Sequence, residues 1–307
     1  MRLRFGPAPA LAAAGLAAVL VLTSCSGAAR PALDPDSAEF YRNARLIMTG
    51  AEEDIFFHLP DAASRKDFIS DFWARRNPDP TAEVNEFQQE FARRVEYADK
   101  HFNEGRKGID TDRGRIYVYL GPPDRVENFP FNQAQSIQAG PDTIRGPILW
   151  WVYYRWELGI AFADFRNTGV FKMYEIEGNL LEAIDQAKLN PVSQRGGGRP
   201  VKFDLRYDRD RQQLVVSIQV KSLDFVEAGD RLTTRFGFDF SIYKKGLAKE
   251  RMSAEKSFSA TPEELESRPE IVFEFPCVLP PGKNYVDVIL TRDGSVAKTR
   301  KIFALKS

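Results

Sequence analysis

The sequence predicts two unlike parts: an α+β domain, with helices followed by a small, mostly antiparallel sheet, and an all-β immunoglobulin-like sandwich. Three observations predict this. Apolar residues recur every three or four positions in the early segments. Beyond residue 200 they alternate with a period of two. Between these regimes, Gln194-Arg195-Gly196-Gly197-Gly198-Arg199-Pro200 reads as a flexible linker. The boundaries follow as 37–190 for the first domain, 191–200 for the linker and 201–307 for the second domain.

In the first domain, Ser37 is positioned to cap a helix carrying Phe40, Ala44 and Ile47. Asp61 caps another through Arg76, with Phe68, Ile69, Phe72 and Trp73 on one side, and Asn77-Pro78-Asp79-Pro80 stops it. A third helix from Thr81 to Asn103 places Phe87, Phe91, Val95, Ala98 and Phe102 on one face. The β-branched and aromatic run Arg115–Leu120 predicts a strand, and Gly121-Pro122-Pro123-Asp124 a turn. Asn128–Gly146 reads as a long loop, Ile148–Glu157 as an aromatic strand, and Ile160–Phe165 and Val170–Ile176 as two further strands about an Asn167-Thr168-Gly169 turn. A short helix between Asn179 and Leu189 ends before Pro191.

In the second domain, Val201–Tyr207, Leu214–Val220, Phe236–Ile242, Ile271–Phe275 and Val286–Leu290 alternate clearly, and 249–258 and 296–304 more weakly. About seven short strands without a long helix predict a sandwich. Cys277 follows an alternating run and reads as a small core residue.

The N-terminus fixes an address. Arg2 and Arg4 precede an Ala/Leu/Val-rich run ending in Leu22-Thr23-Ser24-Cys25. This is the layout of a secretory signal, too short for the ~20 apolar residues of a spanning helix. Its end resembles the bacterial lipobox. The resemblance implies a signal peptide over 1–24, cleavage before Cys25, acylation of that cysteine, and a lipidated tether over 25–36. Ser26, where aspartate would mark inner-membrane retention, favours the outer membrane facing the periplasm. Cys277 then has no intramolecular partner, as these are the only two cysteines. Removing residues 1–24 takes away Arg2 and Arg4 and no acid, leaving 41 basic against 43 acidic residues, a balance that gives no reason to expect nucleic acid or an anionic lipid surface as a partner.

Phe72-Trp73-Ala74-Arg75-Arg76-Asn77-Pro78-Asp79-Pro80, Asn85-Glu86, Gly108-Ile109-Asp110-Thr111-Asp112-Arg113-Gly114-Arg115-Ile116-Tyr117 and Gly121-Pro122-Pro123-Asp124 resemble, together, the GWxTD domain family of bacterial exported proteins. Ile109 stands where the family-naming tryptophan is expected. The resemblance implies a domain boundary and no particular reaction.

Two readings of the motif residues stand. In one, Gly108, Asp110, Thr111, Asp112, Arg113, Gly114 and Asp124 form a polar ligand loop. In the other, they hold local backbone and pair with each other. Trp150, Trp151, Tyr153 and Trp156 divide likewise between a stacking surface and a sheet core. Two histidines 43 positions apart, His58 and His101, give no metal-ligand spacing, so no metal and no cofactor is expected. His58 is expected half-buried beside Phe56 and Phe57. No catalytic signature stands out. The expected function is therefore a membrane-anchored, non-catalytic adaptor or structural lipoprotein binding an envelope protein or polymer. The alternatives are an envelope hydrolase using the loop carboxylates and a glycan-binding protein.

Overall fold

The computed structural model describes residues 32–78, 82–130, 137–139, 142–193, 201–292 and 298–307. Four helices open this region, each begun by a side chain that accepts a hydrogen bond from an otherwise orphaned N–H. α1 (Pro35–Ala44) is capped by Asp34, which accepts from the Ser37 N–H at 3.0 Å, so Ser37 lies inside the first turn instead of capping it. α2 (Gly50–His58) is a separate helix, started by a reciprocal capping box between Thr49 and Glu52. His58 at its end is exposed, not half-buried, because its ring turns back to the Asp54 carbonyl. α3 (Ala62–Arg75) begins at Asp61 as the sequence indicated. α4 (Glu86–His101) begins after Asn85, whose side chain accepts from the Gln88 N–H, and it buries Phe91, Val95 and Ala98.

The run Arg115–Leu120 is not a strand. It belongs to helix α5 (Asp112–Leu120), capped by Thr111. Packing against α4 and later elements buries Ile116, Val118 and Leu120 in turn, an alternation that imitates a strand. β1 (Arg125–Phe129) follows, then a hairpin of β2 (Ile137–Ala139) and β3 (Asp142–Ile144), so part of the stretch read as a loop is paired. The aromatic strand is β4 (Ile148–Tyr153), shorter than expected because Tyr154–Trp156 turn as a 3-10 helix. With β5 (Leu158–Ala163) and β6 (Lys172–Glu177), it forms an antiparallel sheet ordered β1-β4-β5-β6. α6 (Leu180–Ser193) runs past Pro191, which lacks the N–H that would bond the Ala187 carbonyl. Residues 194–200, the glycine-rich stretch, lie outside the described residues.

The remaining chain supplies β7 (Phe203–Asp208), β8 (Gln213–Gln219), β9 (Val226–Ala228), β10 (Arg231–Tyr243), β11 (Glu250–Ala260), a short α7 (Pro262–Glu266), β12 (Glu270–Pro276), β13 (Lys283–Arg292) and β14 (Lys298–Lys306). These pair antiparallel as one sheet, β12-β8-β7, and another, β11-β10-β13-β14, with β9 beside β10. Alternate residues of both sheets meet in one core, where Val216 and Ile218 face Phe236, Phe238 and Val288. The Phe238 and Phe275 ring centroids lie 4.9 Å apart across it. Cys277 is buried in this core, as its sequence context indicated.

Helices and sheets are joined by charge. Arg76 at the end of α3 donates to both Glu52 oxygens, at 3.0 and 2.8 Å, and to the Ile47 carbonyl, and its guanidinium lies 3.7 Å from the Phe72 ring centroid. Arg75 bridges Glu52 at 3.1 Å and Asp287 of β13 at 3.9 Å, and Arg300 of β14 completes the set on Asp287. Glu52 is 3% exposed and Asp287 2%. Burial opposes ionisation of Glu52, but Arg76, Arg75 and the Thr49 N–H outweigh it and hold the carboxyl at about 2. A folded value below the unfolded one contributes stability above about pH 4.5, lost as pH falls toward 2. Urea titrations across that window should therefore show a loss of about 3 kcal/mol from this group. In Glu52→Gln, less stable at pH 7, this part of the acid dependence should vanish.

Candidate functional site

The motif loop is built on two close backbone approaches. A 3-10 turn at Gly108–Asp110 lies against α4, where a Cβ on Gly108 would overlap the Ala98 carbonyl. A Cβ on Gly114 would overlap the Gly108 carbonyl, so the first turn of α5 sits directly on that turn. Thr111, fully buried, joins them: its hydroxyl donates to the Gly108 carbonyl at 2.7 Å and accepts from the Gly114 N–H at 3.0 Å. Ile109 is fully buried in the helical core and its N–H donates to Asp99 at 2.9 Å. The position expected to hold tryptophan is thus a packing position here.

The charged motif residues disperse. Asp110 pairs with Arg45, both about one-third exposed. Asp112 accepts from the Met173 N–H of β6 at 3.1 Å and from Arg115 at 2.6 Å. Burial pushes its carboxyl up, but the Met173 N–H and Arg115 prevail and hold it below the usual carboxylate range. Arg113 lies 4.1 Å from the Phe171 ring centroid and donates to Glu104 at 2.8 Å. Glu104 in turn accepts from the Phe171 N–H at 3.0 Å. Asp124, beyond the other end of α5, accepts from the Tyr154 N–H at 2.7 Å and thereby starts the 3-10 turn after β4. A nine-residue helix, about 13 Å long, lies between Asp112 and that turn. Gly108, Thr111 and Gly114 are therefore brought together, while Asp110, Asp112 and Asp124 each serve a separate partner.

The aromatic residues divide by face. Trp151 and Tyr153 are buried. Trp151 packs on Phe162 and Phe102, with centroids 4.8 and 5.5 Å away, and the Tyr153 hydroxyl donates to the Gly121 carbonyl. Burial pushes the Tyr153 phenol far up, so it stays protonated. Trp150, half-buried, packs beside Ile148 and Ala161 on the opposite face.

Trp156 instead reaches a cavity of about 370 Å³, within the range of small-ligand or side-chain pockets. Its apolar wall combines Phe87 and Phe91 of α4 with Val118 and Leu120 of α5, and Glu86 and Arg155 stand at it. Glu90 and Arg94 pair with each other at 2.9 Å, and Arg94 also donates to the Tyr119 carbonyl. Glu86 and Arg155 are exposed and form no ion pair among the described residues, Arg155 resting on the Trp156 ring at 5.4 Å. Sequence reading placed Pro78 and Glu86 in the motif but did not rank them as site residues. Both line this groove, and the recurrence of two motif segments at one place was the available signal.

The features define a helical motif domain whose motif loop is a scaffold and whose open surface is a groove beside it. Residues 34–136 match the family model of the GWxTD domain, so the chain carries that domain over this segment. No curated protein matches the chain. Arg155, Trp156 and Ala187 lie beyond the matched segment, so the groove is completed from outside it. Among the described residues, no group of three or more His, Cys, Asp or Glu can hold a metal ion. No helix among them is long and apolar enough to cross a membrane.

The two kinds of motif residue should separate in equilibrium unfolding. Gly114→Ala forces backbone apart and should lose more than about 3 kcal/mol. Asp110→Asn, which removes one partly exposed ion pair, should change stability by less than about 1 kcal/mol.

Proposed function

We propose that this chain is a non-catalytic adaptor or structural lipoprotein of the bacterial envelope, anchored by lipid on Cys25 and facing the periplasm from the outer membrane. The anchoring rests on the sequence, since residues 1–31 lie outside the described residues. The observation that carries the binding reading is the internal use of the motif's charges. Asp112, Arg113 and Asp124 hold backbone or buried partners, while the adjoining groove keeps an apolar wall and two opposite charges without an ion pair among the described residues. Buried apolar anchoring with a polar rim is how one protein holds another. The partner is accordingly an envelope protein or polymer. The strand order of the second part, β12-β8-β7 against β11-β10-β13-β14, supports an immunoglobulin-like sandwich, a module suited to contact through its surface.

Pull-down from intact envelopes tests this. The wild type should recover a partner that Glu86→Lys/Arg155→Glu loses, with circular dichroism unchanged, and that Asp112→Asn retains. Recovery by the groove variant at wild-type level would remove the groove from the proposal. In cell fractionation, Cys25→Ala should move the chain from the membrane to the soluble fraction.

A further inference from the structure

We propose that a second cleft, between the C-terminal end of α2 and the turns flanking β10 and β13, binds a phosphate-type anion. It has a volume of about 480 Å³ and is lined by His58, Lys244, Lys245 and Lys283, with no carboxylate in its wall. Two acidic side chains, each about half exposed, adjoin this wall, and each is already engaged. Asp54 accepts from Lys283 at 2.8 Å and from the Tyr285 hydroxyl, and Glu250 accepts from Lys244. Lys245 is exposed and has no partner among the described residues. The His58 Nδ1 lies 2.6 Å from the Asp54 carbonyl, to which only an N–H can donate, so Nε2 is the free ring nitrogen. With both acids neutralised, a positive surplus remains.

The walls are fixed before any ligand arrives. Asn284, 1% exposed, donates to the Pro280 carbonyl at 2.9 Å and the Gly282 carbonyl at 3.3 Å. Gly282 and Ser307 exchange backbone hydrogen bonds, and the Gly246 N–H donates to the His58 carbonyl at 3.1 Å. Ammonium groups from Lys283 at the start of β13 and from Lys244 and Lys245 after β10 suit a tetrahedral anion, which accepts from several directions at once, and preorganisation lowers the cost of binding it. The cleft exceeds a bare phosphate in size, so the group recognised is one carried on a larger molecule, such as a lipid headgroup or a phosphate-bearing polymer. The site is separate from the Trp156 groove and stands without it.

The test uses the full chain in non-ionic detergent, titrated with inorganic phosphate at constant ionic strength by calorimetry. Saturable binding is expected, weakened about tenfold in Lys245→Ala/His58→Gln with an unchanged unfolding midpoint, and unaltered in Glu86→Lys/Arg155→Glu. The Cys25→Ala chain, mixed with phosphatidylglycerol or phosphatidylcholine vesicles, separates the sources. Preference for phosphatidylglycerol, lost in the cleft variant, assigns a headgroup; phosphate binding without that preference assigns a soluble carrier. Absence of saturable binding to either probe, or equal binding by the cleft variant, overturns the proposal.

Discussion

The described fold depends on one buried ion set. Arg75 and Arg76 terminate α3, and between them they satisfy Glu52 of α2 and reach Asp287 of β13. With Arg300 on Asp287, five charges are gathered at low exposure; they are costly to desolvate, and their mutual pairing offsets that cost only if every member stays in place. The set therefore couples α2 and α3 to β13. The α2 start needs Glu52 both as a capping-box residue and as an ion-pair partner. Arg76 also lies on Phe72 and bonds the Ile47 carbonyl, tying the aromatic core to the same charge. Around it, Lys249 meets Asp67 and Asp71, and Tyr243 packs near Phe68 at 6.3 Å between centroids. Tyr243 and Tyr285, which come from strands, are members of the helical core.

This arrangement changes how the motif is understood. Most of the residues that looked chemical are positioned to hold backbone. Arg75 and Arg76, the arginines of the Phe72–Pro80 segment, hold Glu52; Thr111 and the two glycines form the helix start, and Asp124 the turn after β4. The surface they leave open is shaped by Pro78, Glu86 and the end of α5, all parts of the same segments. The motif is thus mainly a scaffold, and its product is a groove beside it.

What the sequence revealed followed from local rules. Asp61 caps α3 because a short polar side chain precedes the apolar run, and α4 was legible because its buried residues obey the helical period. The later strands were legible because their apolar residues alternate along the chain, as in β10, where alternate residues are buried. Helix α5 was not, because its identity depends on contacts made elsewhere. Neighbours on several sides bury Gly114, Ile116, Val118 and Leu120 at every second position, and β-branched content agreed with the wrong answer. The dispersal of Asp110, Asp112 and Asp124 was hidden for the same reason: their partners, Arg45, Met173 and Tyr154, are distant in sequence. The Trp156 groove was signalled only by the two motif residues Pro78 and Glu86, because its wall is assembled from six separate segments.

The long reach of the junction also sets an order on how the chain becomes native. Lys283 meets Asp54 across 229 positions and Lys249 meets Asp71 across 178, whereas Arg76 meets Glu52 across only 24. Loop closure favours near partners, so the helical pair forms first and neutralises Glu52 long before β13 arrives. Until then, the side of the helices that will receive Tyr243 and Tyr285 stays open to water. A nascent chain therefore passes through a stage in which its first part is organised but uncovered, and the hazard of sticking to other chains is greatest there.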